Sequence, residues 1–250
     1  MGQEKRTKVA DMKYKVLLTT SGTGSRLGEL TKNTNKALVL INEKATIDYI
    51  LSSYSKDTEF VVTLGYLGKQ VKDFLTKNYP DRHFEFITVD TYIGDGSSLL
   101  YSMRTAKSAL QCPFIFHACD TIVVEPVPPP TENWIAGYIV DKNIPESEFK
   151  QYRTHKIVAG SLAKMLDKGV PGFDSIHIGM IGIQDYTQFW ETLEEIYTAD
   201  PMNQAFGDVP IIEKLLEKKT KVKWIPFKTW LDTGNIPALE KTEAYFVDQK

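Results

Sequence analysis

Cysteine is scarce in this sequence, and so is any pattern that would bind a metal through cysteine or histidine. Cys112 and Cys119 are the two cysteines among 250 residues, and they do not have metal-ligand spacing. The four histidines are scattered along the chain, which argues against a histidine metal centre. A chain of this length can bury a full core without disulfides or structural metals. Two reduced thiols suit the cytoplasm, and we expect a cytoplasmic location.

Strong charge imbalance and long apolar runs are also missing. The net charge of −2 gives no general attraction to nucleic acid. No segment approaches the roughly 18–20 consecutive apolar residues that a membrane-spanning helix needs. Residues 1–12 are polar and basic without an apolar signal core, and they predict a flexible tail. We therefore expect neither nucleic acid nor a membrane as a partner.

A loop of small residues follows the first predicted strand. Residues 14–20 form the β-branched, apolar run typical of a buried parallel strand. Gly22 and Gly24 then allow a sharp turn that brings backbone N–H groups close to anionic oxygens. Arg26 and Lys36 add the positive charge that a bare loop lacks. This order favours a site for a polyphosphate.

Two better-known phosphate loops do not match this one. A dinucleotide-binding fingerprint would need a small residue at the position of Leu27 and a helix directly after the glycines. A Walker loop would need Gly-Lys-Ser/Thr, which the sequence lacks. Because many Gly-x-Gly loops after strands are only tight turns, the loop alone leaves that alternative open.

Strands and helices then alternate. The predicted elements are a helix at 45–54, a strand at 60–64, a helix at 69–78 and a strand at 83–89. This rhythm predicts an α/β fold with a doubly wound, mixed but mainly parallel sheet, Rossmann-like, with helices on both faces. Ligands of such sheets bind beyond the carboxyl ends of the strands. The polar segment 141–152 predicts a mobile loop and carries no functional signal.

Two aspartates follow predicted strands. The apolar run 113–118 leads to Asp120, where a carboxylate is costly unless its charge is compensated, for example by a divalent cation. An aspartate that caps the next turn is the alternative. Asp232 lies in the run Trp230-Leu231-Asp232-Thr233-Gly234. Its Asp-Thr-Gly triplet could suggest an aspartic protease, but that class needs a second lobe with a matching carboxylate and mostly β structure.

Together these motifs resemble the signature of the sugar-1-phosphate nucleotidylyltransferases, also called nucleotide-sugar pyrophosphorylases. That family has Gly-x-Gly-Thr-Arg-Leu, a threonine, and Pro-Lys about ten residues beyond the arginine, and here Lys36 follows Arg26 by ten residues. The family's Gly-Asp or Ala-Asp matches Asp120, and its Trp-x-Asp-x-Gly places its second carboxylate at Asp232. Asn35 departs from the pattern by replacing the proline. The resemblance extends over residues 14–246.

The resemblance implies a glycosyltransferase-A-like fold and an enzyme that joins an NTP to a sugar-1-phosphate, giving an NDP-sugar and pyrophosphate. Arg26 and Lys36 would be catalytic, and Asp120 and Asp232 would hold Mg²⁺. The residues that it assigns to the nucleotide are Thr20, Ser21, Gly22, Thr23, Gly24, Ser25, Thr91, Gly96 and Ser97. Those that it assigns to the acceptor are Tyr66, Lys168 and Gly179.

The same resemblance predicts one nucleotidyltransferase domain over residues 13–250. Its nucleotide-binding half would span about 13–125 and its acceptor-binding half about 130–235. Departures from the family in the second half, such as His177 in place of an asparagine, leave the acceptor open. The run Ser98–Met103 keeps open a cytidylyltransferase for a non-sugar phosphate or phosphonate of the phosphocholine type. A non-catalytic nucleotide-sugar-binding protein, a glycosyltransferase and a homo-oligomer also stay open.

Overall fold

The structure is a computed structural model that describes residues 13–205 and 207–248. The tail predicted for residues 1–12 lies outside the described residues. The strands are β1 (Lys15–Thr19), β2 (Leu40–Ile41), β3 (Lys44–Ala45), β4 (Glu59–Leu64), β5 (His83–Thr88), β6 (Phe114–Ala118), β7 (Thr121–Val123), β8 (Trp134–Tyr138), β9 (Thr154–Val158), β10 (Ser161–Leu166), β11 (Ser175–Ile183), β12 (Lys223–Phe227) and β13 (Trp230–Asp232). The α-helices are α1 (Thr46–Ser52), α2 (Gly68–Asn78), α3 (Leu99–Thr105), α4 (Tyr186–Ala199), α5 (Asp208–Glu217) and α6 (Ile236–Asp248). Short 3₁₀ helices span Ser25–Thr31, Lys36–Leu38, Lys107–Ala109 and Glu146–Phe149.

Nine strands form one mixed sheet in the order β5-β4-β1-β6-β11-β8-β12-β10-β9. The first four of these are parallel neighbours. Beyond β6 the pairings are antiparallel, except for the parallel pair β8–β12. The predicted mixed α/β sheet is therefore confirmed, but the prediction that it is mainly parallel is correct only for its first half. Of these antiparallel pairs, β9 and β10 form a hairpin, and strands joined by so short a connection pair antiparallel.

The helices cover both faces of the sheet, as predicted. Side chains alternate along β1, so Val16 and Leu18 face one way and Leu17 the other. Val16 and Leu18 belong to a core that includes buried residues of α1, α2 and α6. Leu17 belongs to a second core, formed with α3, α4 and α5. Each fully buried leucine contributes about 1.5–3 kcal/mol of hydrophobic stabilisation, so the two cores hold β1 rigidly and place the loop after it.

A separate two-stranded sheet joins distant parts of the chain. In it β13 pairs antiparallel with β7, and Asp232 lies opposite Thr121. This pairing brings β13 against the segment that follows β6, next to Asp120. Within the residues that the structure describes, no helix has the length and apolar character needed to cross a membrane.

The packing of β11 against β8 makes a testable prediction at Gly182. Gly182 lies opposite Trp134, and a Cβ at position 182 would overlap the buried Trp134 indole. We expect Gly182→Ala to lower the free energy of unfolding by about 1–3 kcal/mol, measured by urea denaturation. Gly22→Ala is the matched control, since an added Cβ there meets nothing within 4 Å. Equal urea midpoints for Gly182→Ala and the wild type would contradict this packing.

Candidate active site

A cleft of about 530 Å³ opens beyond the carboxyl ends of β1 and β6, the position predicted for a ligand in such a sheet. Of the site residues predicted from the sequence, the cleft brings together Ser21, Gly22, Thr23, Ser25, Arg26, Lys36, Ser97 and Asp120. It also includes Leu99 and Ser102, from the run Ser98–Met103 noted above, and two residues that sequence reasoning missed, Tyr92 and Gln204. No motif marks Tyr92 or Gln204, since only the folded chain brings them to the cleft.

The glycine loop is packed directly onto the segment that carries Lys36. Gly24 has φ 68°, in the left-handed region that favours glycine. A Cβ at Gly24 would lie 2.8 Å from Lys36 Cβ and 3.0 Å from Thr31 Cγ2. The Thr31 hydroxyl also donates to the Gly24 carbonyl over 3.0 Å. Glycine is therefore required at position 24 both for the turn and for this close approach.

Asn35 holds the two halves of this loop region together. Its side chain is buried, and its amide donates to the carbonyl of Thr20 over 3.0 Å and to that of Tyr66 over 2.6 Å. Its side-chain oxygen accepts from the Ala37 N–H over 2.9 Å. The residue that departs from the family's proline thus fixes the position of Lys36 by hydrogen bonds. The polar side chain of Asn35 was the one sign of this positioning role in the sequence.

Three charged groups meet in the cleft. Lys36 Nζ lies 3.5 Å from Asp120 Oδ2, and Arg26 Nη2 lies 3.8 Å from the same oxygen. Burial works to raise the pKa of Asp120, but Lys36 and Arg26 outweigh it and hold that pKa below its usual value. Burial works to lower the pKa of Lys36, but Asp120 and Cys119 together outweigh it and raise that pKa. Both groups are charged at neutral pH.

Asp232 joins this cluster through the pairing of β13 with β7. The Thr233 N–H donates to the Asp120 carbonyl over 2.9 Å, and the Gly234 N–H donates to Asp232 Oδ1 over 2.8 Å. A Cβ at Gly234 would lie 3.0 Å from Asp232 Oδ1, 3.2 Å from Arg26 Nη2 and 3.3 Å from Asp120 Oδ2. The two carboxylates and the arginine therefore converge around Gly234. Burial and the nearby Asp120 charge raise the pKa of Asp232.

Tyr152 is a site residue that the sequence did not reveal. Its hydroxyl donates to Asp232 Oδ2 over 2.7 Å, and burial followed by the Asp232 charge raises the pKa of Tyr152. Tyr152 lies in the polar segment in which we predicted a mobile loop without function. The structure instead gives this segment a 3₁₀ turn, Glu146–Phe149, and places its last residue against Asp232. Eighty residues separate Tyr152 from Asp232, so no local pattern could have linked them.

The two carboxylates fit a magnesium ion. Mg²⁺ prefers oxygen ligands and is commonly bound by one or two carboxylates together with phosphate oxygens and water. Burial, and after it repulsion from Asp120, raises the pKa of Asp232, and a divalent cation would relieve that repulsion. Among the described residues no group of three or more histidines, cysteines, aspartates or glutamates gathers. Asp120 and Asp232 would therefore share such an ion with the phosphates of a bound nucleotide.

Other residues assigned to the nucleotide contribute through backbone shape. The Thr20 hydroxyl donates to the Thr63 carbonyl over 2.7 Å, which keeps that side chain in the buried sheet. Gly96 has a positive φ of 79°, and a Cβ there would lie 3.8 Å from Thr91 Cγ2. Ser98 is the N-cap of α3 and accepts from the Tyr101 N–H over 2.9 Å. The turn before α3 is thus shaped by its glycines and capped by a serine.

The residues assigned to the acceptor lie in different places. Gly179, with φ 70°, packs against the cleft residue Ala118, since a Cβ there would lie 2.9 Å from Ala118 Cβ. The Tyr66 hydroxyl donates to the Lys32 carbonyl over 2.9 Å. Lys168 is exposed just after β10. Neither Tyr66 nor Lys168 is among the described residues that line the cleft.

His177 is part of a buried chain of hydrogen bonds. It stands where the family that the sequence resembles has asparagine. Its Nε2 lies 2.7 Å from Asp208 Oδ2, and its Nδ1 lies 3.3 Å from His155 Nε2. Burial works to raise the pKa of Asp208, but His177 outweighs it and lowers that pKa. Asp208 opens α5 after Gly207, which is the N-cap. These hydrogen bonds therefore connect β11 to the start of α5.

Comparison with known proteins shows which fold this is. No family model matches the chain. A curated relative, the choline-phosphate cytidylyltransferase of Streptococcus pneumoniae, is 29% identical over 106 residues, which cover 42% of this chain and 44% of that relative. The matched segment thus spans less than half of the relative's length.

Solved structures match nearly the whole chain. The CTP:phosphocholine cytidylyltransferase of Streptococcus pneumoniae aligns with a TM-score of 0.73 and 17% identity, over 94% of this chain and 100% of that one. A UDP-glucose pyrophosphorylase in complex with UDP-glucose aligns with a TM-score of 0.76 and 15% identity, over 96% and 100%. The chain therefore has the Rossmann-like α/β fold of these nucleotidyltransferases, and the resemblance seen in the motifs is confirmed at the level of the fold.

The opposite pKa shifts of the two aspartates predict opposite effects on stability. Asp120, whose folded-state pKa lies below 3.8, contributes stability that is present above pH 3.8 and lost as pH falls through its folded pKa. Asp232, whose folded-state pKa lies above 3.8, costs stability above that pKa, and the cost vanishes as pH falls to 3.8. Without divalent cations near neutral pH, we expect Asp120→Asn to lower the melting temperature and Asp232→Asn to raise it.

Calorimetric or fluorescence melting curves across this pH range would test the pair. The gain of Asp232→Asn should shrink as pH falls towards 3.8, while the loss of Asp120→Asn should persist to that pH. Each variant serves as the control for the other, because both remove one negative charge and keep the side-chain shape. Melting temperatures that shift in the same direction near neutral pH would contradict the geometry described above.

Proposed function

We propose that this protein is a nucleotidyltransferase that joins a nucleoside triphosphate to a phosphorylated small molecule and releases pyrophosphate. The observation that carries the proposal is the convergence of Arg26, Lys36 and Asp120 in the cleft, with Asp232 beside Arg26 and Asp120 at Gly234. The fold is shared with enzymes that are named for this chemistry. Two cations, together with two carboxylates that would hold Mg²⁺, suit a reaction between two dense anions.

In this reaction an oxygen of the acceptor phosphate attacks the α-phosphorus of the nucleotide. A new P–O bond forms there, and the bond to the β-phosphate oxygen breaks, so pyrophosphate leaves with its electron pair. Lys36, fixed by the Asn35 hydrogen bonds, would hold the α-phosphate against the acceptor phosphate. Arg26, whose side chain is largely exposed at the mouth of the cleft, would bind the departing phosphates. The acceptor phosphate is already ionised near neutral pH, so the step needs no general base.

Asp120 and Asp232 would hold Mg²⁺ against the triphosphate, and Tyr152 would orient Asp232 through its hydrogen bond. The ion, when bound, supplies charge neutralisation for the phosphates. The loop from Ser21 to Ser25 would present backbone N–H groups to the nucleotide. Ser97 would border the base and sugar.

Two acceptor classes are candidates. The motifs resemble those of enzymes for sugar-1-phosphates, and the fold is shared with a UDP-glucose pyrophosphorylase. The partial match in sequence is to an enzyme named for choline phosphate, and this favours a cytidylyltransferase for an amino-alcohol phosphate as the second candidate. Both classes use the same phosphate chemistry at Lys36, so they differ in the part of the acceptor beyond its phosphate.

Release of pyrophosphate in the presence of Mg²⁺ tests the proposed function. Each common NTP is paired with glucose-, mannose- and heptose-1-phosphate and with phosphocholine. We expect one productive pair, and we expect Lys36→Ala and Asp120→Ala to lower its kcat at least about 10²-fold, because each removes a charge at the reacting phosphates. Lys32→Ala is the matched control, since Lys32 pairs with Glu29 at the surface 3.3 Å away and should be dispensable.

Two outcomes would count against the proposal. Turnover of Lys36→Ala at the wild-type rate would remove Lys36 from the reaction. Absence of pyrophosphate release across the whole panel, together with tight binding of an NDP-sugar, would support the non-catalytic binding protein instead.

A further inference from the structure

A second cavity, of about 250 Å³, has Asp232 in its wall. Four aromatic residues from three parts of the chain also line it: Tyr138, Phe149, Tyr152 and Trp230. We call this cavity the aromatic pocket. Asp232 thus faces both the aromatic pocket and the charge cluster around Gly234, so the pocket adjoins the place where the acceptor phosphate would react.

The rings of the aromatic pocket are arranged around Trp230. The ring centroid of Tyr152 lies 5.0 Å from that of Trp230 at an interplanar angle of 74°, and that of Tyr138 lies 5.9 Å away at 51°. Rings inclined to one another in this way form adjoining walls rather than a flat stack. Tyr138 ends β8, Trp230 begins β13, and Tyr152 precedes β9, so the main sheet and its small neighbour hold all three rings.

Two hydroxyls of the aromatic pocket are bonded to Asp232. The hydroxyl of Tyr152 donates to Asp232 Oδ2, and the hydroxyl of Thr242 donates to the Asp232 carbonyl over 2.9 Å. The charged residues that line the pocket are Asp232, Glu148 and Lys241, which leaves an excess of one negative charge. A ligand group in the pocket therefore meets ring faces and net negative charge.

We propose that the aromatic pocket binds a quaternary ammonium group, so that the acceptor is the phosphate ester of a methylated amino alcohol. A trimethylammonium group has no N–H or O–H to satisfy, and it is attracted to the negative faces of aromatic rings and to carboxylates. A neutral sugar carries no positive charge and would gain neither attraction. This inference rests on the proposed function, because it assigns the phosphate end of the same molecule to Lys36 and the carboxylate pair.

Three acceptors that differ only at the head group test the inference on the unaltered protein. They are phosphocholine, phosphoethanolamine and 3,3-dimethylbutyl phosphate, in which a neutral tert-butyl group replaces the trimethylammonium group. With pyrophosphate release as the readout, we expect the highest kcat/KM for phosphocholine, with each of the other two lower by about tenfold or more. Equal kcat/KM for phosphocholine and the neutral analogue would overturn the proposal, because charge would then play no part.

Variants of Trp230 provide the second arm. Trp230→Leu keeps an apolar side chain but removes the ring, and it should raise the KM for phosphocholine about tenfold while leaving the KM for the nucleotide unchanged. Trp230→Phe keeps an aromatic face and should restore most of the affinity. A melting curve for each variant separates loss of binding from loss of folding. A Trp230→Leu variant that folds and keeps the wild-type KM would contradict the assignment.

Direct binding separates this inference from the proposed function. Choline chloride is titrated by calorimetry into the full-length protein without nucleotide. Binding that Trp230→Leu weakens would support the pocket even if no acceptor in the panel releases pyrophosphate. Pyrophosphate release with a sugar-1-phosphate, without any binding of choline, would support the proposed function and overturn the inference.

Discussion

The site depends on two carboxylates that are held side by side in a partly buried place. Asp120 and Asp232 repel each other, and this repulsion contributes to the raised pKa of Asp232. Lys36 and Arg26 compensate Asp120, which keeps its charge at low cost. Such an arrangement is unfavourable for the protein alone and would become favourable with a cation and phosphates added. It suits the metal-bound polyphosphate that we propose as the ligand.

The rest of the fold supplies the support that this arrangement needs. The two hydrophobic cores hold β1 and β6, and the short sheet of β7 and β13 brings a residue from near the end of the chain to the same place. Asn35 and Gly24 then fix the loop that carries Lys36, and Tyr152 fixes Asp232 from the other side. Each of these contacts orients a charged group, and a loose charge would lose much of its effect on a reacting phosphate.

The change in sheet topology separates the two tasks of the site. The parallel first half ends in loops that meet at one edge, which suits a nucleotide, as in other sheets of this kind. The antiparallel second half carries Tyr138 and leads into Tyr152, and we propose that these side chains, with Trp230, select the acceptor. Proteins named for UDP-glucose and for phosphocholine share this fold, so the difference between their acceptors must reside in side chains rather than in architecture.

Much of the fold and part of the site could be predicted from sequence. Hydrophobic periodicity located the elements, because burial requires a period of two in strands and near 3.6 in helices. Glycines at 22 and 24, with Arg26 and Lys36 at their spacing, indicated the cleft because these residues are close together in the chain. The tertiary structure decided the contacts between distant segments. These are the antiparallel pairings of the second half of the sheet, the contact of Tyr152 with Asp232, and the grouping of Tyr138 and Trp230. These depend on strand register and side-chain direction, which are settled only when the whole sheet packs, so no local pattern could reveal them.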